Sequence, residues 1–231
     1  MFAIDHAATA LLVKRRYPAV PLAPLLVAVQ GMELAWVALN YLGIERTTTE
    51  PVVRSVADIN LAFMPYSHSV ATGLGGAVLV WLLVEYGFSR PRLGRALGLG
   101  IVSHLVLDLA THAHDIVLWP GRLQPALGVG LYATAPFAAF IVELVYGIFC
   151  WWAYRGGRGL LAVVVLGNLA NLSLFSTAIH GPERYLAGRP TLLVTFVFVQ
   201  IVVTLVLVGV FARRPKASPS EVRTRAAEVT G

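Results

Sequence analysis

Residues 191–212 read TLLVTFVFVQIVVTLVLVGVFA, and Gln200 with three threonines are its only polar side chains. A bilayer core about 30 Å thick needs roughly 20 apolar residues of helix, and this segment supplies them. Its Val, Ile and Phe content would favour a strand in water. In lipid the backbone has to satisfy its own hydrogen bonds, so a helix wins. The segment is apolar nearly all round and is expected to be the most lipid-exposed helix. Five further stretches reach spanning length, at about 19–42, 66–86, 96–118, 132–153 and 159–180. Charged residues make up 13% of the chain, about half the usual share of a soluble domain. Mean hydropathy is +0.73. A soluble globular protein and a disordered one are both excluded.

The expected fold class is all-α: a polytopic membrane helix bundle of about six transmembrane helices plus a short N-terminal amphipathic helix. That opening helix, FAIDHAATALLVKRRYP, is too short to span, and its basic residues follow the apolar run. The order is wrong for a signal peptide and suits a helix lying on the membrane surface. Residues 1–212 read as a single integral membrane domain and 213–231 as a polar cytoplasmic tail, disordered by composition. Of the 18 Lys and Arg, thirteen fall in the N-terminal segment, alternate loops and the tail, and five fall in the opposite loops. The bias places both termini in the cytoplasm of what reads as a bacterial cytoplasmic membrane. A net charge of +6 is compatible with nucleic acid, but the charges are scattered between apolar runs, so membrane lipids are the expected partners. A homo-oligomer stays open. The single cysteine, Cys150, excludes a disulfide framework and a Cys-based zinc ribbon.

Ionisable side chains inside a membrane helix are costly, which makes them functional candidates. In the third span, His104, Asp108, Thr111 and Asp115 fall at i, i+4, i+7 and i+11, with His112 at the edge of the same face. An imidazole and a carboxylate at i, i+4 can converge on one cation. The plainer reading is a buried His–Asp hydrogen bond that holds helices together. His68 opens the second span between Ser67 and Ser69, and a hydroxyl beside a ligand histidine can orient it. Ala71, Gly73, Gly75 and Gly76 would let that helix approach a neighbour closely. Gln30, Glu33 and Asn40 share one face of the first span. Glu143, Asn168 and Asn171 read as interhelical bonds, His6 as a cytoplasmic surface residue, and His180 as an outer-side residue at a substrate entrance. The tryptophans suit interface anchoring. The apolar run ADINLAFMPY, ending at Tyr66, is expected to dip back into the membrane.

The motifs SHSVATGLGG (67–76) and SHLVLDLATHAHD (103–115) resemble those of a family of predicted membrane-bound metal-dependent hydrolases. That family opens one helix with Thr/Ser-His-Ser and carries His-x-x-x-Asp in the next. The patterns map onto Ser67, His68 and Ser69, and onto His104 and Asp108. The nearest counterparts of its N-terminal histidine and its acidic residue in the first span are His6 and Glu33. The family's Pro-Asp stretch is replaced here by QGMELAWVALN, and Met64-Pro65-Tyr66 stands where an arginine precedes the histidine motif. The resemblance covers roughly residues 1–120.

A metal site of His68, His104 and Asp108 would have three ligands and an open fourth position, the arrangement of a catalytic zinc. Manganese, iron or nickel also suit nitrogen and oxygen donors. The implied activity is hydrolysis of a lipid or lipid-linked ester or phosphoester by a metal-activated water. Glu33, Asp115 or His112 would serve as general base, and His180, Arg122 and Arg184 would receive the substrate. One tension follows from the helix count. His68 lies near the outer surface and His104 deeper, so either the second span begins as a dipped segment or His68 pairs with His112 or Asp115. The competing readings are a small transporter or ion- or proton-conducting protein, and a non-catalytic scaffold.

Overall fold

The computed structural model describes residues 1–121 and 126–212. Arg122 and the tail 213–231 lie outside the described residues, so the expectations placed on them are not addressed. The chain opens with α1 (Ala3–Arg16), α2 (Leu22–Val29) and α3 (Gly31–Tyr41). A hairpin follows, of β1 (Arg46–Thr49) and β2 (Ile59–Phe63). Next come α4 (Val70–Leu82), continued by a π-helical turn to Gly87, and α5 (Pro91–Thr111). Two-residue strands β3 (Ile116–Val117) and β4 (Ala126–Leu127) lead to α6 (Leu131–Thr134). The chain then runs through α7 (Pro136–Tyr154), α8 (Arg158–Leu169), α9 (Leu172–Phe175) and α10 (Pro190–Phe211).

Four of these helical stretches are long and apolar enough to cross a membrane: Val70–Gly87, Pro91–Thr111, Pro136–Tyr154 and Pro190–Phe211. The α2–α3 pair makes a fifth if its 56° bend is counted within one span. The protein is therefore a mostly helical, integral membrane protein with four to five candidate spans, against the six expected. The shortfall lies at 159–180. There α8 has 12 residues, about 18 Å of helix against a 30 Å core. Asn168 and Asn171 turn back onto the carbonyls of Val164 and Gly167, and the helix stops between them.

The opening helix does not lie on a surface. Ten of the 14 residues of α1 are buried, and it packs against α2, α5, α7, α8 and α10. Ala3, Ala7, Ala8 and Ala10 are small enough to let those helices close around it. Composition suggests an amphipathic helix because Asp5, His6 and Thr9 interrupt the apolar face. All three are instead buried among polar partners.

Three other expectations change. Where a run dipping into the membrane is expected, residues 59–63 form a strand paired antiparallel to β1, with Thr48 opposite Asn60 and Thr49 opposite Ile59. Thr49 and Ile59 are β-branched and suit a pleated ribbon. The most lipid-exposed span is α4 with its π turn, 11% buried, whereas 28% of α10 is buried. A helix apolar all round carries no signal of which side faces in, and Leu193, Val194, Ile201 and Val208 of α10 turn inward. Close approach of α4 and α5 comes mostly from α5, with Gly73 the contribution from α4. A Cβ on Gly94 would stand 2.7 Å from the Trp81 carbonyl oxygen, and one on Gly98 3.1 Å from that of Ala77. Gly73 does meet Leu105 and Met32, but Gly75 and Gly76 face open space. The tight α4–α5 hairpin sets the start of α4 beside the end of α5.

Candidate metal centre

The end of α5 is where the chain gathers its buried charge. The helix stops at Thr111, because His112 takes an extended conformation with ψ 156°. His104 is therefore two turns from the helix end, and His68 sits just before the first turn of α4, so both histidines are at the same end of the α4–α5 hairpin. Strand β2 and the turn after Met64 deliver His68, whose backbone N–H donates to the Met64 carbonyl.

Asp108 is the hub and is fully buried. Its Oδ2 lies 2.9 Å from His104 Nε2 and 3.7 Å from His68 Nε2. Its Oδ1 accepts from the Met1 amino nitrogen at 2.7 Å and lies 3.1 Å from His6 Nε2. His112 Nε2 approaches Oδ1 to 3.8 Å. Glu33 Oε1 stands 3.7 Å from His68 Nε2. The His6 and His104 rings stack with centroids 3.8 Å apart. Two overlapping groups, His6–His104–Asp108 and Glu33–His68–His104, each bring their donor atoms within 4.8 Å of one another. These buried His, Asp and Glu groups could hold a metal ion.

Hydrogen bonds on the far side of each ring fix which nitrogen is free. His104 Nδ1 lies 2.6 Å from the Val29 carbonyl oxygen, which can only accept, so the proton is on Nδ1. Ser67 Oγ donates its one proton to Glu45 Oε2 at 2.6 Å. His68 Nδ1, 2.8 Å from that same hydroxyl, must then be the donor. His112 Nδ1 faces Asp115 Oδ1 at 3.3 Å. In all three rings Nδ1 is taken up by an oxygen partner, and Nε2 is the nitrogen that faces Asp108. This carboxylate- or carbonyl-oriented imidazole is the usual support of a metal ligand.

Four buried atoms of the cluster have no hydrogen-bond partner: His6 Nδ1, and three that converge, His68 Nε2, His104 Nε2 and Asp108 Oδ2. His104 Nε2 and Asp108 Oδ2 are 2.9 Å apart, yet neither has a hydrogen-bond partner. Leaving a buried polar atom unsatisfied costs about 1–3 kcal/mol. Three such atoms would use much of a total stability of about 5–15 kcal/mol. A shared cation satisfies all three at once. The donor set is two imidazoles and a carboxylate, which fits zinc and admits manganese, iron or nickel.

The sequence expectations distribute unevenly around this centre. His68, His104 and Asp108 are brought together. Glu33 and His112 border them, and Asp115 reaches the group through His112. Asp115 arrives by a turn after the helix, however, and not along a helical face. The Gln30–Glu33–Asn40 face is split by the break between α2 and α3. Gln30 donates to the Ala3 carbonyl and Asn40 to that of Trp36, in its own helix. His180 and Arg184 are exposed and neither lines the cavity that opens onto the histidines. Their expected role in receiving substrate at this cavity is not supported. His6, read as a surface residue, is fully buried in the cluster. Glu45, just before β1, is also buried and accepts from the Tyr66 and Ser67 backbone N–H groups as well as from Ser67 Oγ. Nothing in the spacing of residues 45 and 67 announces that pairing. Trp36 is buried rather than anchored at an interface.

A cavity of about 120 Å³ opens beside the centre. Glu33, His68 and His112 form its polar end. Trp36, Leu61, Leu193, Val197 and Ile201 form apolar walls contributed by α3, β2 and α10. Beyond Tyr132, which packs on His112 with ring centroids 5.6 Å apart, Glu143 accepts from the Tyr132 hydroxyl and the Phe2 N–H. No family model, curated protein or solved structure matches the chain.

Proposed function

We propose that the chain is a membrane-embedded, metal-dependent hydrolase that cleaves an ester or phosphoester in a lipid or lipid-linked substrate. The carrying observation is the set of three orphaned, buried donor atoms from two helix ends, next to a cavity with apolar walls. His68, His104 and Asp108 hold the ion, and His6 braces Asp108 from its other oxygen. A divalent metal bound there supplies an activated water and a Lewis acid. Glu33 is the half-buried carboxylate at the cavity edge and takes a proton at Oε1. Glu33 can pass that proton to the leaving oxygen, and His112 faces the same cavity. The walls from α3 and α10 exclude water and accept an acyl or prenyl chain entering sideways from the bilayer.

The likeness to predicted membrane-bound metal-dependent hydrolases supports this reading, and the buried position of His6 strengthens it. We read α8 and α9 together as a sixth, broken span, with the end of the bundle that carries the basic clusters facing the cytoplasm. Lys14, Arg15 and Arg155 border one groove at that end.

The test is turnover of a panel of phospholipids and prenyl phosphoesters by detergent-purified protein. Hydrolysis that stops with a chelator, returns with zinc or manganese, and is lost in Glu33→Gln supports the reading. Hydrolysis that persists in both conditions overturns it.

A second reading, an ion- or proton-conducting protein, is favoured by one observation. Glu143, Asp5 and Asn168 continue the polar chain inward from Tyr132, and all three are buried. Flux in liposomes that depends on Glu143, without turnover, would select it.

A further inference from the structure

The end of the bundle away from the histidines has a much larger opening. A groove of about 1110 Å³ runs between α2 and α10, above the range of roughly 300–1,000 Å³ found for small-molecule pockets. Leu26, Val206 and Val210 form its apolar floor, and Lys14, Arg15 and Arg155 stand at its rim. Arg15 and Arg155 are exposed. Lys14 donates to the carbonyl oxygens of Pro18 and Val20, which are neutral acceptors. Among the described residues, no carboxylate pairs with any of the three; the one arginine ion pair at this end is Arg95 with Glu85.

Arg155 carries a second signal. It closes α7 in the left-handed region at φ 58°, which a side-chain-bearing residue rarely adopts. Glycines stand at the next two positions, 156 and 157. A glycine one position earlier would have ended the helix without strain. The chain instead holds a guanidinium at the rim of the groove.

We propose that this groove is a binding site for one anionic phospholipid, with an acyl chain along Leu26, Val206 and Val210 and its phosphate on Lys14, Arg15 and Arg155. Basic pockets between membrane helices recognise acidic headgroups by this chemistry. Arginine offers a phosphate two parallel N–H donors. The chain's own continuation past Ala212 is a poor occupant, because it begins with Arg213 and Arg214 and would meet a rim of its own charge. The site is on the opposite end of α1 from His6, about 12 Å along the helix axis. It does not rest on the hydrolase reading.

The test uses the full chain reconstituted in vesicles of phosphatidylcholine and phosphatidylglycerol, then extracted in mild detergent, with the co-purifying lipid quantified by mass spectrometry. Phosphatidylglycerol is expected above its share of the vesicle. Each of Lys14→Gln, Arg15→Gln and Arg155→Gln lowers that enrichment about fivefold, and Arg54→Gln in the far loop leaves it unchanged. Gly209→Leu keeps the rim intact and fills the groove. Its ideal Cβ lies 3.6 Å from Leu26 Cδ1, so the first carbon fits and the remainder enters the space. That variant should lose the lipid even if a charge variant fails to fold. Lipid retained in the vesicle ratio by the unaltered protein overturns the proposal. So does undiminished enrichment in Gly209→Leu, which would mean surface attraction without a groove.

Discussion

The first and last turns of α1 meet opposite surroundings. At the first, His6 is sealed among His104, Asp108 and the Met1 amino group, and the adjoining cavity is about 120 Å³. At the last, Lys14 and Arg15 stand over an apolar groove of about 1110 Å³. One end concentrates acceptors and lone pairs that a cation would satisfy. The other gathers uncompensated cations that an anion would satisfy. Small alanines between the two ends allow the helix to be central. In a membrane, apolar burial does not draw helices together, so packing and polar contacts carry the association. The polar ends of α1 are thus part of what holds the bundle, not only of what it binds.

The comparison can be broken most sharply at Asp108. Asp108→Ala removes the carboxylate that faces four imidazoles, and metal affinity should fall by more than about 100-fold. Titration with zinc of the chelator-treated protein measures it. Lipid enrichment at the basic end should not change. Next is Leu160→Ala, in the apolar cluster with Leu11, Leu25 and Val208. It should lower stability by about 2–4 kcal/mol, read by thermal unfolding in detergent, and leave metal affinity intact. If metal is lost with it, the two ends are not independent. Glu45→Gln and Ser67→Ala act through His68 by releasing its Nδ1 partner. Each should weaken metal binding by about 10–100-fold without removing a ligand. A loss of stability with unchanged affinity would make the Glu45–Ser67 pair structural only. The smallest effect is expected for Arg155→Gln, about fivefold in anionic lipid retention.

The legible part of the fold was set by composition and the legible part of the centre by helical spacing. The apolar runs reveal α4, α5, α7 and α10 because length against bilayer thickness is a one-dimensional property. Spacing brings His104 to Asp108 because i, i+4 is fixed by the helix itself. His68 joins them only through the α4–α5 hairpin, and the family resemblance pointed to it. What stayed hidden depends on contacts distant in sequence. Glu45 reaches His68 across a β-hairpin, and His6 reaches Asp108 because α1 inserts as a central helix. Ala-rich α1 has too little hydropathy to announce that it is buried. The break at Asn168 and Asn171 was hidden for a local reason: amide side chains that turn back on their own carbonyls look, in sequence, like polar links to another helix.

The central claim is that imidazole and carboxylate donors from the start of α4 and the end of α5 share one cation. Elemental analysis of the purified full chain, beside His104→Ala, tests it most directly. A stoichiometric divalent transition metal is expected in the unaltered protein and none in the variant. A folded unaltered protein that takes up no such metal when it is supplied, or a His104→Ala variant that keeps it, would contradict the account.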